Sequence, residues 1–200
     1  MAARRGLFYT RPDVPIDADA LHLVLYPDPT LRVRAAPVEG VDDDVRKIFR
    51  RMLEVMYEEQ GIGLAAPQIG VSRRIFVLHV PPNDDDRTLD SDPPSATDGP
   101  MVFINPEITA LEEAPEAFEE GCLSLPDIRG DVLRPPIATV KALDAKGNTF
   151  TMRCGGLLAR CVQHEFDHLE GVLIIDRMTQ MSRLRTRLAV RDLERDAGLR

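Results

Sequence analysis

The residues of this chain that are best suited to chemistry lie in the segment QHEFDH, residues 163–168. Histidines at positions i and i+4 of a helix lie on one face, so the imidazoles of His164 and His168 can bind one metal ion. Glu165 lies one step round the helix, where its carboxylate can take a proton from a water at that metal without being a ligand. This spacing also arises by chance, but the glutamate and the apolar helix context favour a metal-dependent hydrolase.

The third ligand of such a site is not settled by the residues alone. A catalytic metal site needs three protein ligands and one open position, and Glu170 and Asp176 follow the two histidines. Cysteine is a better ligand for a transition metal. Cys122 lies in the segment EGCLSLP, residues 120–126, where the preceding glycine lets the backbone approach a bound group. A lone cysteine is, however, usually buried and inert.

A third segment, GIGLAAPQIG at residues 61–70, combines glycines and small residues with one polar side chain. Glycines allow the backbone to approach a ligand closely, and Gln68 offers an amide donor. Taken alone, the segment indicates only a turn after a helix.

Composition limits the classes of function. The chain has 200 residues, of which 44% are hydrophobic, and its formal net charge is −8 at pH 7. This length suits one domain with a substantial core, and the negative charge argues against a DNA-binding protein. No apolar run is long enough to span a membrane. An odd number of cysteines without a secretory signal predicts a cytoplasmic protein with free thiols.

The hydrophobic pattern predicts three helices. The first begins at Asp42 to Asp44, buries one face up to Met56 and ends at Gly61 in a left-handed conformation. The second carries Leu157 to Leu169, including the two histidines. The third runs from about Arg177 to Ala197 and is rich in arginine, and its expected inward positions are Met178, Met181, Leu184, Leu188 and Leu193.

Short runs rich in β-branched residues predict strands at 75–80, 102–104, 138–143 and 150–152, with a hairpin turn at 145–148. Together the elements predict an α+β fold. We expect a single domain of short, mostly antiparallel strands around the central metal-binding helix, with one helix in the N-terminal half and one at the C-terminus. Residues 1–20 are predicted as an irregular leader, 21–176 as the catalytic domain, and 177–200 as a basic helix. Within the domain, residues 81–100 form a predicted acidic, proline-rich surface loop.

The three segments together resemble the peptide deformylase family, in its bacterial type with a C-terminal helix. That family is identified by three motifs in order, which stand here as GIGLAAPQ (61–68), EGCLS (120–124) and QHEFDH (163–168). The resemblance covers roughly residues 21–176. It implies hydrolysis of the N-formyl group from the initiator methionine of nascent polypeptides, with release of formate.

The resemblance also implies the metal site. Its ligands would be Cys122, His164 and His168, with water in the fourth position. Fe²⁺ is the ion that the family favours, while Zn²⁺, Ni²⁺ or Co²⁺ also suit a thiolate and two imidazoles. Glu165 would be the general base that produces a metal-bound hydroxide. The side chain of Gln68 and the backbone N–H of Leu123 would stabilise the charge that develops on the formyl oxygen.

The expected substrate pocket follows from the same segments. Ile62, Gly63 and Gly121 would form a tight wall that admits the formyl group and excludes larger acyl groups. Leu157 and Cys161, on the histidine face of the helix, would line an apolar slot for the methionine side chain. Glu120 is expected at the same site, either against the substrate or as a support for its own segment.

The expected partners are N-formylmethionyl nascent peptides and, through the C-terminal helix, the ribosome near its exit tunnel. From Arg177 onward the chain carries seven arginines and three acidic residues. A solvated helix face is the simpler interpretation of such a run. The arginines could instead contact ribosomal RNA phosphates, although the three acids interrupt the basic face.

Two rival functions use the same residues. A zinc protease shares the histidine spacing, but a downstream third ligand is missing, and cleavage of internal bonds in casein would reveal it. A non-enzymatic module could dock to ribosomes through the basic tail, but a structural metal site needs four protein ligands and only three good ones are found. Formate release from formyl-Met-Ala-Ser distinguishes both rivals from a deformylase.

Overall fold

The computed structural model describes residues 17–83 and 87–198. Within these ranges the fold is α+β, as predicted. Its helices are α1 (Asp43–Glu58), α2 (Gly156–Leu169), α3 (Ile174–Arg177) and α4 (Gln180–Asp196). Its strands are β1 (Gly63–Ala65), β2 (Ile75–Leu78), β3 (Met101–Glu112), β4 (Glu116–Cys122), β5 (Leu125–Arg134), β6 (Ile137–Leu143) and β7 (Thr149–Gly155). Residues 1–16 of the predicted leader lie outside the described residues, and Ala18–Ala20 forms a short 3-10 turn.

Five strands form an antiparallel sheet in the order β1-β2-β3-β6-β7, and β4 and β5 pair separately as a hairpin. At β2 the larger sheet is buried on both faces. Ile75 and Val77 pack in the cluster around α1, whereas Phe76 and Leu78 pack in the cluster around α2. A strand covered on both faces needs no polar alternation, which explains why β2 is a continuous apolar run.

Helix α1 begins as predicted but ends differently. The Asp42 side chain accepts a hydrogen bond from the Val45 N–H, which caps the helix. After Glu58 the left-handed residue is Gln60, with φ of 57°, so the prediction for Gly61 is wrong. Glycine is required at position 61 for a steric reason instead, because a Cβ there would lie 2.7 Å from Cδ1 of Leu123.

The predicted hairpin is confirmed, since β6 and β7 pair around a turn in which Asp144 accepts from the backbone N–H groups of Lys146 and Asn148. Strand β3 is much longer than the predicted 102–104. Its second half exposes many side chains and is held by pairing with β6. The strands β1, β4 and β5 were not predicted.

The C-terminal region departs from prediction. Instead of one helix from Arg177, α3 ends there and α4 begins at Gln180, capped by the side chain of Thr179. Met178 is buried as predicted and Leu193 is partly buried, but three predicted inward residues face solvent: Met181 is 58% exposed, Leu184 64% and Leu188 71%.

Strand β5 explains which face of α4 packs inward. A Cβ at Gly130 would lie 2.9 Å from Cβ of Ser182, so the strand and the helix approach too closely for a large side chain. Ser182 is 2% exposed, and its hydroxyl both accepts from the Asp131 N–H and donates to the Asp131 carboxylate.

The 81–100 segment forms no helix or strand in the residues that are described. It is more than a surface loop, because Ser95, Ala96 and Thr97 are buried. The Pro94 carbonyl accepts the Gly155 N–H, so this segment packs at the start of α2. Among the described residues, no helix is long and apolar enough to cross a membrane.

Candidate metal centre

Helix α2 presents both histidines of the QHEFDH segment to one point. The Nε2 atoms of His164 and His168 are 3.3 Å apart, and the His168 side chain is buried. Apolar residues on the rest of the helix, such as Leu158 and Val162, pack into the cluster beneath the five-stranded sheet. Packing of this face fixes the helix, and with it the two imidazoles.

Cys122 lies at the end of β4, where the pairing with β5 is irregular between Gly121 and Cys122. Its Sγ is 3.3 Å from Nε2 of His168. The ligand atoms of Cys122, His164 and His168 all lie within 4.8 Å of one another, and no other such group was found in the described part of the chain.

The two acidic alternatives for a third ligand are engaged elsewhere. Glu170 accepts from Arg34 and Arg74, and Asp176 pairs with Arg32 and caps α3 through the Leu173 N–H. Neither carboxylate belongs to the group formed by Cys122 and the two histidines.

The donor geometry fits a tetrahedral transition metal. With metal–nitrogen bonds of about 2.05 Å, two ligating nitrogens of a tetrahedron lie about 3.3 Å apart, which is the observed Nε2–Nε2 distance. One thiolate and two imidazoles are a suitable donor set for such an ion. Three ligands leave the fourth position for water or substrate, as a catalytic site requires.

Glu165 is the acid–base candidate beside this centre. Its side chain is buried, and Oε2 has no hydrogen-bond partner within the described protein. Burial raises the pKa of the Glu165 carboxyl to about 7, although the neighbouring His164 and Arg134 act to lower it. A carboxyl with a pKa near neutrality can both take and return a proton.

Glu120 is engaged by protein groups on both oxygens. Oε1 accepts from Arg134 and Arg160, and Oε2 accepts from Arg134 and from Nδ1 of His164. Burial alone would raise the pKa of Glu120, but the hydrogen bonds from His164 and Arg134 outweigh it and hold the pKa at about 2. The ionised carboxylate therefore fixes the His164 ring with Nε2 toward the ligand cluster.

Gln68 is held so that its amide nitrogen faces the cluster. Its Oε1 accepts the Ala65 N–H at 2.8 Å, and Nε2 lies 3.6 Å from Cys122 Sγ and 3.2 Å from Ser124 Oγ. Leu123, whose backbone N–H was the other expected donor, follows Cys122 directly and packs against the α1 cluster.

The centre opens into a cleft of ≈ 560 Å³ between the β4–β5 hairpin and α2. All the predicted pocket residues line this cleft: Ile62, Gly63, Gly121, Leu157 and Cys161. A Cβ at Gly63 would lie 2.5 Å from Glu165 Oε1, so only glycine leaves room for the carboxylate. Burial raises the pKa of the Cys161 thiol well above its usual range. The neutral thiol suits an apolar wall.

Four further residues around the centre were not found from the sequence: Phe118, Arg134, Arg160 and Asp167. Arg160 lies under the half-exposed ring of Phe118 at the cleft, whereas Arg134 and Asp167 lie behind the ligands. The sequence offered one signal for these residues, which is that Arg134 interrupts the alternating apolar pattern of β5.

Comparison with known proteins agrees with this geometry. A family model described as Polypeptide deformylase matches residues 20–184. A peptide deformylase from Chromohalobacter salexigens is 47% identical over 163 residues, which is 82% of this chain and 88% of that protein.

Solved structures give the same result. The chain is similar to a peptide deformylase of Plasmodium falciparum in complex with an inhibitor, with 38% identity, a TM-score of 0.74, and coverage of 86% of this chain and 99% of that one. It is also similar to a peptide deformylase from Ehrlichia chaffeensis, with 34% identity, a TM-score of 0.78, and coverage of 88% and 96%.

Proposed function

Because the chain belongs to the polypeptide deformylase family, we propose that Cys122, His164 and His168 hold one divalent metal ion at which the N-formyl group of nascent peptides is hydrolysed. Membership makes the chain an enzyme, a metal-dependent hydrolase that removes formyl groups from new polypeptides. The convergence of the three ligand atoms beside the unpartnered Glu165 carboxylate carries the proposal for this site.

When bound, the metal supplies a Lewis acid that makes water acidic near neutral pH. Glu165 takes the proton of the attacking water as general base. The same carboxyl then returns a proton to the leaving amine, so formate departs and methionine keeps a free amino group. Burial gives the Glu165 carboxyl the near-neutral pKa that both transfers need.

The developing negative charge on the formyl oxygen needs hydrogen-bond donors. Gln68 offers its Nε2 donor on the cleft side. Its Oε1 accepts a hydrogen bond from the Ala65 N–H, and this bond prevents rotation of the amide group. The Leu123 N–H is the second donor in this proposal. Removing one such donor costs about 3 kcal/mol of activation free energy.

Selection of a formyl group follows from the space at the centre. Ile62, Gly63 and Gly121 line the cleft, and the backbone at Gly63 comes close to Glu165. The additional methyl group of an acetyl substrate would clash with these residues. Leu157 and Cys161 offer the apolar surface for the methionine side chain, whose flexible thioether fits an irregular slot.

The test is formate release from formyl-Met-Ala-Ser by wild-type protein and by Glu165→Gln. The glutamine keeps the ligands but cannot accept the proton, so we expect a loss of about 10²- to 10⁴-fold with the metal retained. Acetyl-Met-Ala-Ser is the control substrate and should not be hydrolysed. Cleavage of casein at internal bonds by the wild type would favour a protease instead.

For the ion itself we propose Fe²⁺, with Zn²⁺, Ni²⁺ and Co²⁺ as substitutes, on the basis of the family resemblance and the mixed thiolate and imidazole donors. Protein loaded with Fe²⁺ without oxygen should release formate faster than the zinc form and lose activity in air. Equal activity of the two forms, with an air-stable iron form, would contradict this assignment.

We further propose that the enzyme acts in the cytoplasm beside the ribosomal exit tunnel, docked through α4. The outward face of α4 carries Met181, Leu184 and Leu188 together with exposed arginines such as Arg185 and Arg191. Arginines that meet RNA phosphates bind less tightly as salt rises.

The matched test of docking replaces exposed charge and leaves the packed face of α4 intact. Arg185→Glu/Arg191→Glu should co-sediment with ribosomes less than wild type at low salt, while activity on the formylated tripeptide is unchanged. Equal sedimentation of both proteins would leave α4 as a packing element only.

A further inference from the structure

Arg134 is a buried cation that the proposed chemistry does not use. It lies at the end of β5, is 4% exposed, and belongs to a group of buried charged side chains with Glu120, Arg160 and Asp167. A buried charge is costly unless it is paired and hydrogen-bonded. The hydrogen bonds of Arg134 therefore offset the free-energy cost of burying its charge, and they show which parts of the fold depend on it.

One side of the guanidinium holds the strand that carries the cysteine. Nε and Nη2 donate to the two oxygens of Glu120 at 2.7 and 3.1 Å, which is a paired geometry that only arginine can offer. Glu120 is two residues before Cys122 on β4, and it accepts from Nδ1 of His164. This contact supports two of the three ligands.

The other side of the guanidinium holds the helix that carries the histidines. Nη1 donates to Asp167 Oδ2 at 2.8 Å, and Asp167 directly precedes His168 on α2. The Nδ1 atom of His168 is buried without a hydrogen-bond partner among the described residues. In the part of the chain that the structure describes, no carboxylate accepts a hydrogen bond from Nδ1 of His168 in the way that Glu120 accepts one from His164. The contact between Arg134 and Asp167 instead holds this end of α2 against the β4–β5 hairpin.

Arg160 forms a second connection between α2 and the hairpin, one turn before His164. It donates to Glu120 and to the backbone carbonyls of Val132 and Glu116. The two arginines thus tie the helix to β4 and β5 at two points, one turn before His164 and at Asp167, between the two histidines. Arg134 alone of the two contacts the His168 end.

We propose that Arg134 is a positioning residue for the metal centre, which fixes the spacing between Cys122 on β4 and His168 on α2. This inference rests on the metal site of the proposed function. It assigns Arg134 no contact with substrate or metal. Its removal should weaken metal binding, since loss of a partner behind the ligands typically costs 10- to 100-fold in metal affinity.

The experiment measures release of Zn²⁺ from the full-length zinc protein to a chromogenic chelator, for wild type, Arg134→Lys and the control Arg74→Lys. Lysine keeps the charge but cannot bridge two carboxylates. Arg74 is a suitable control because it is largely buried and pairs with Glu170 just after α2, away from the hairpin. We expect release about tenfold faster for Arg134→Lys and unchanged for Arg74→Lys.

A second readout reports the ligand geometry itself. The visible absorption of the Co²⁺-substituted protein should shift in Arg134→Lys and not in Arg74→Lys. If Arg134→Lys does not fold, Asp167→Asn replaces it and should also speed zinc release. Asp167 accepts from Arg177 as well as from Arg134, so Arg177→Lys is measured beside it and should release zinc at the wild-type rate.

Three results would overturn the proposal or its premise. Wild-type release rates and spectra in a folded Arg134 or Asp167 variant would overturn the positioning role. If zinc release were accelerated equally in Arg74→Lys, the effect of Arg134 would be one of general stability and not of ligand positioning. A wild-type protein that binds no zinc, iron or cobalt would instead overturn the metal centre of the proposed function.

Discussion

Helices α2 and α4 both carry a stripe of apolar residues, yet α2 buries most of its stripe whereas α4 leaves several of its apolar side chains in solvent. The side chains of Leu158 and Val162 in α2 are fully buried. In α4 the large apolar residues Leu184 and Leu188 face solvent, while Ser182 packs against β5. The inward positions predicted for α4 were therefore wrong at Leu184 and Leu188.

The difference comes from what each helix packs against. Helix α2 lies against a sheet with large apolar side chains, so burial of apolar area decides its orientation. Helix α4 lies against Gly130, where close approach demands a small residue, and the Ser182 hydroxyl satisfies both Asp131 groups. Shape and hydrogen bonding can therefore override the hydrophobic pattern at the surface.

The largest effect should come from the chemistry on α2. His168→Ala removes a ligand, so the protein should lose its metal and release formate more than about 10³-fold more slowly. Elemental analysis and a formate assay measure both. His22→Ala is the control, because His22 is exposed and its ring hydrogen-bonds the neighbouring Ala20 carbonyl. A full metal equivalent in His168→Ala would contradict the assignment of this ligand.

A smaller loss is expected from Gly63→Ala, which keeps every ligand but displaces Glu165, since the new Cβ would lie 2.5 Å from Oε1. A misplacement of about 1 Å costs about 10²-fold in rate, so kcat should fall by that factor while the metal content stays at the wild-type level. Gly99→Ala is the matched control, because its Cβ would meet nothing within 4 Å. Wild-type kcat in Gly63→Ala would show that Glu165 is not held as described.

At the other helix, Ser182→Leu should lower stability rather than catalysis. The leucine cannot fit against Gly130, and overpacking of this kind costs about 1–3 kcal/mol of the free energy of unfolding. Denaturant unfolding would measure the loss, and activity on formyl-Met-Ala-Ser should persist in the folded protein. An unchanged free energy of unfolding would mean that α4 does not pack through Ser182.

The smallest effect is expected on the outward face of α4. Leu184→Ser should change the free energy of unfolding by no more than about 0.5 kcal/mol, because a 64% exposed side chain has little packing to lose. If the sequence-based orientation were correct, the loss would reach about 2–5 kcal/mol. The same unfolding experiment therefore decides between the two orientations.

The sequence predicted the α+β class and all three motif segments because their chemistry restricts both residue type and spacing. It did not predict β4 and β5, since Glu116, Glu119 and Gly121 are poor strand formers by propensity. Their pairing depends on contacts between distant segments, as do the positions of Arg134 and Asp167. Those side chains meet only after the hairpin has packed on α2.

The most direct test of the account follows formate release while metal is returned to metal-free protein. We would remove the metal with a chelator and add Fe²⁺ stepwise without oxygen, using formyl-Met-Ala-Ser as substrate. The account predicts no activity at the start, a linear rise, and saturation at one equivalent per chain. Full activity without metal, or no recovery after metal binds at Cys122, His164 and His168, would contradict it.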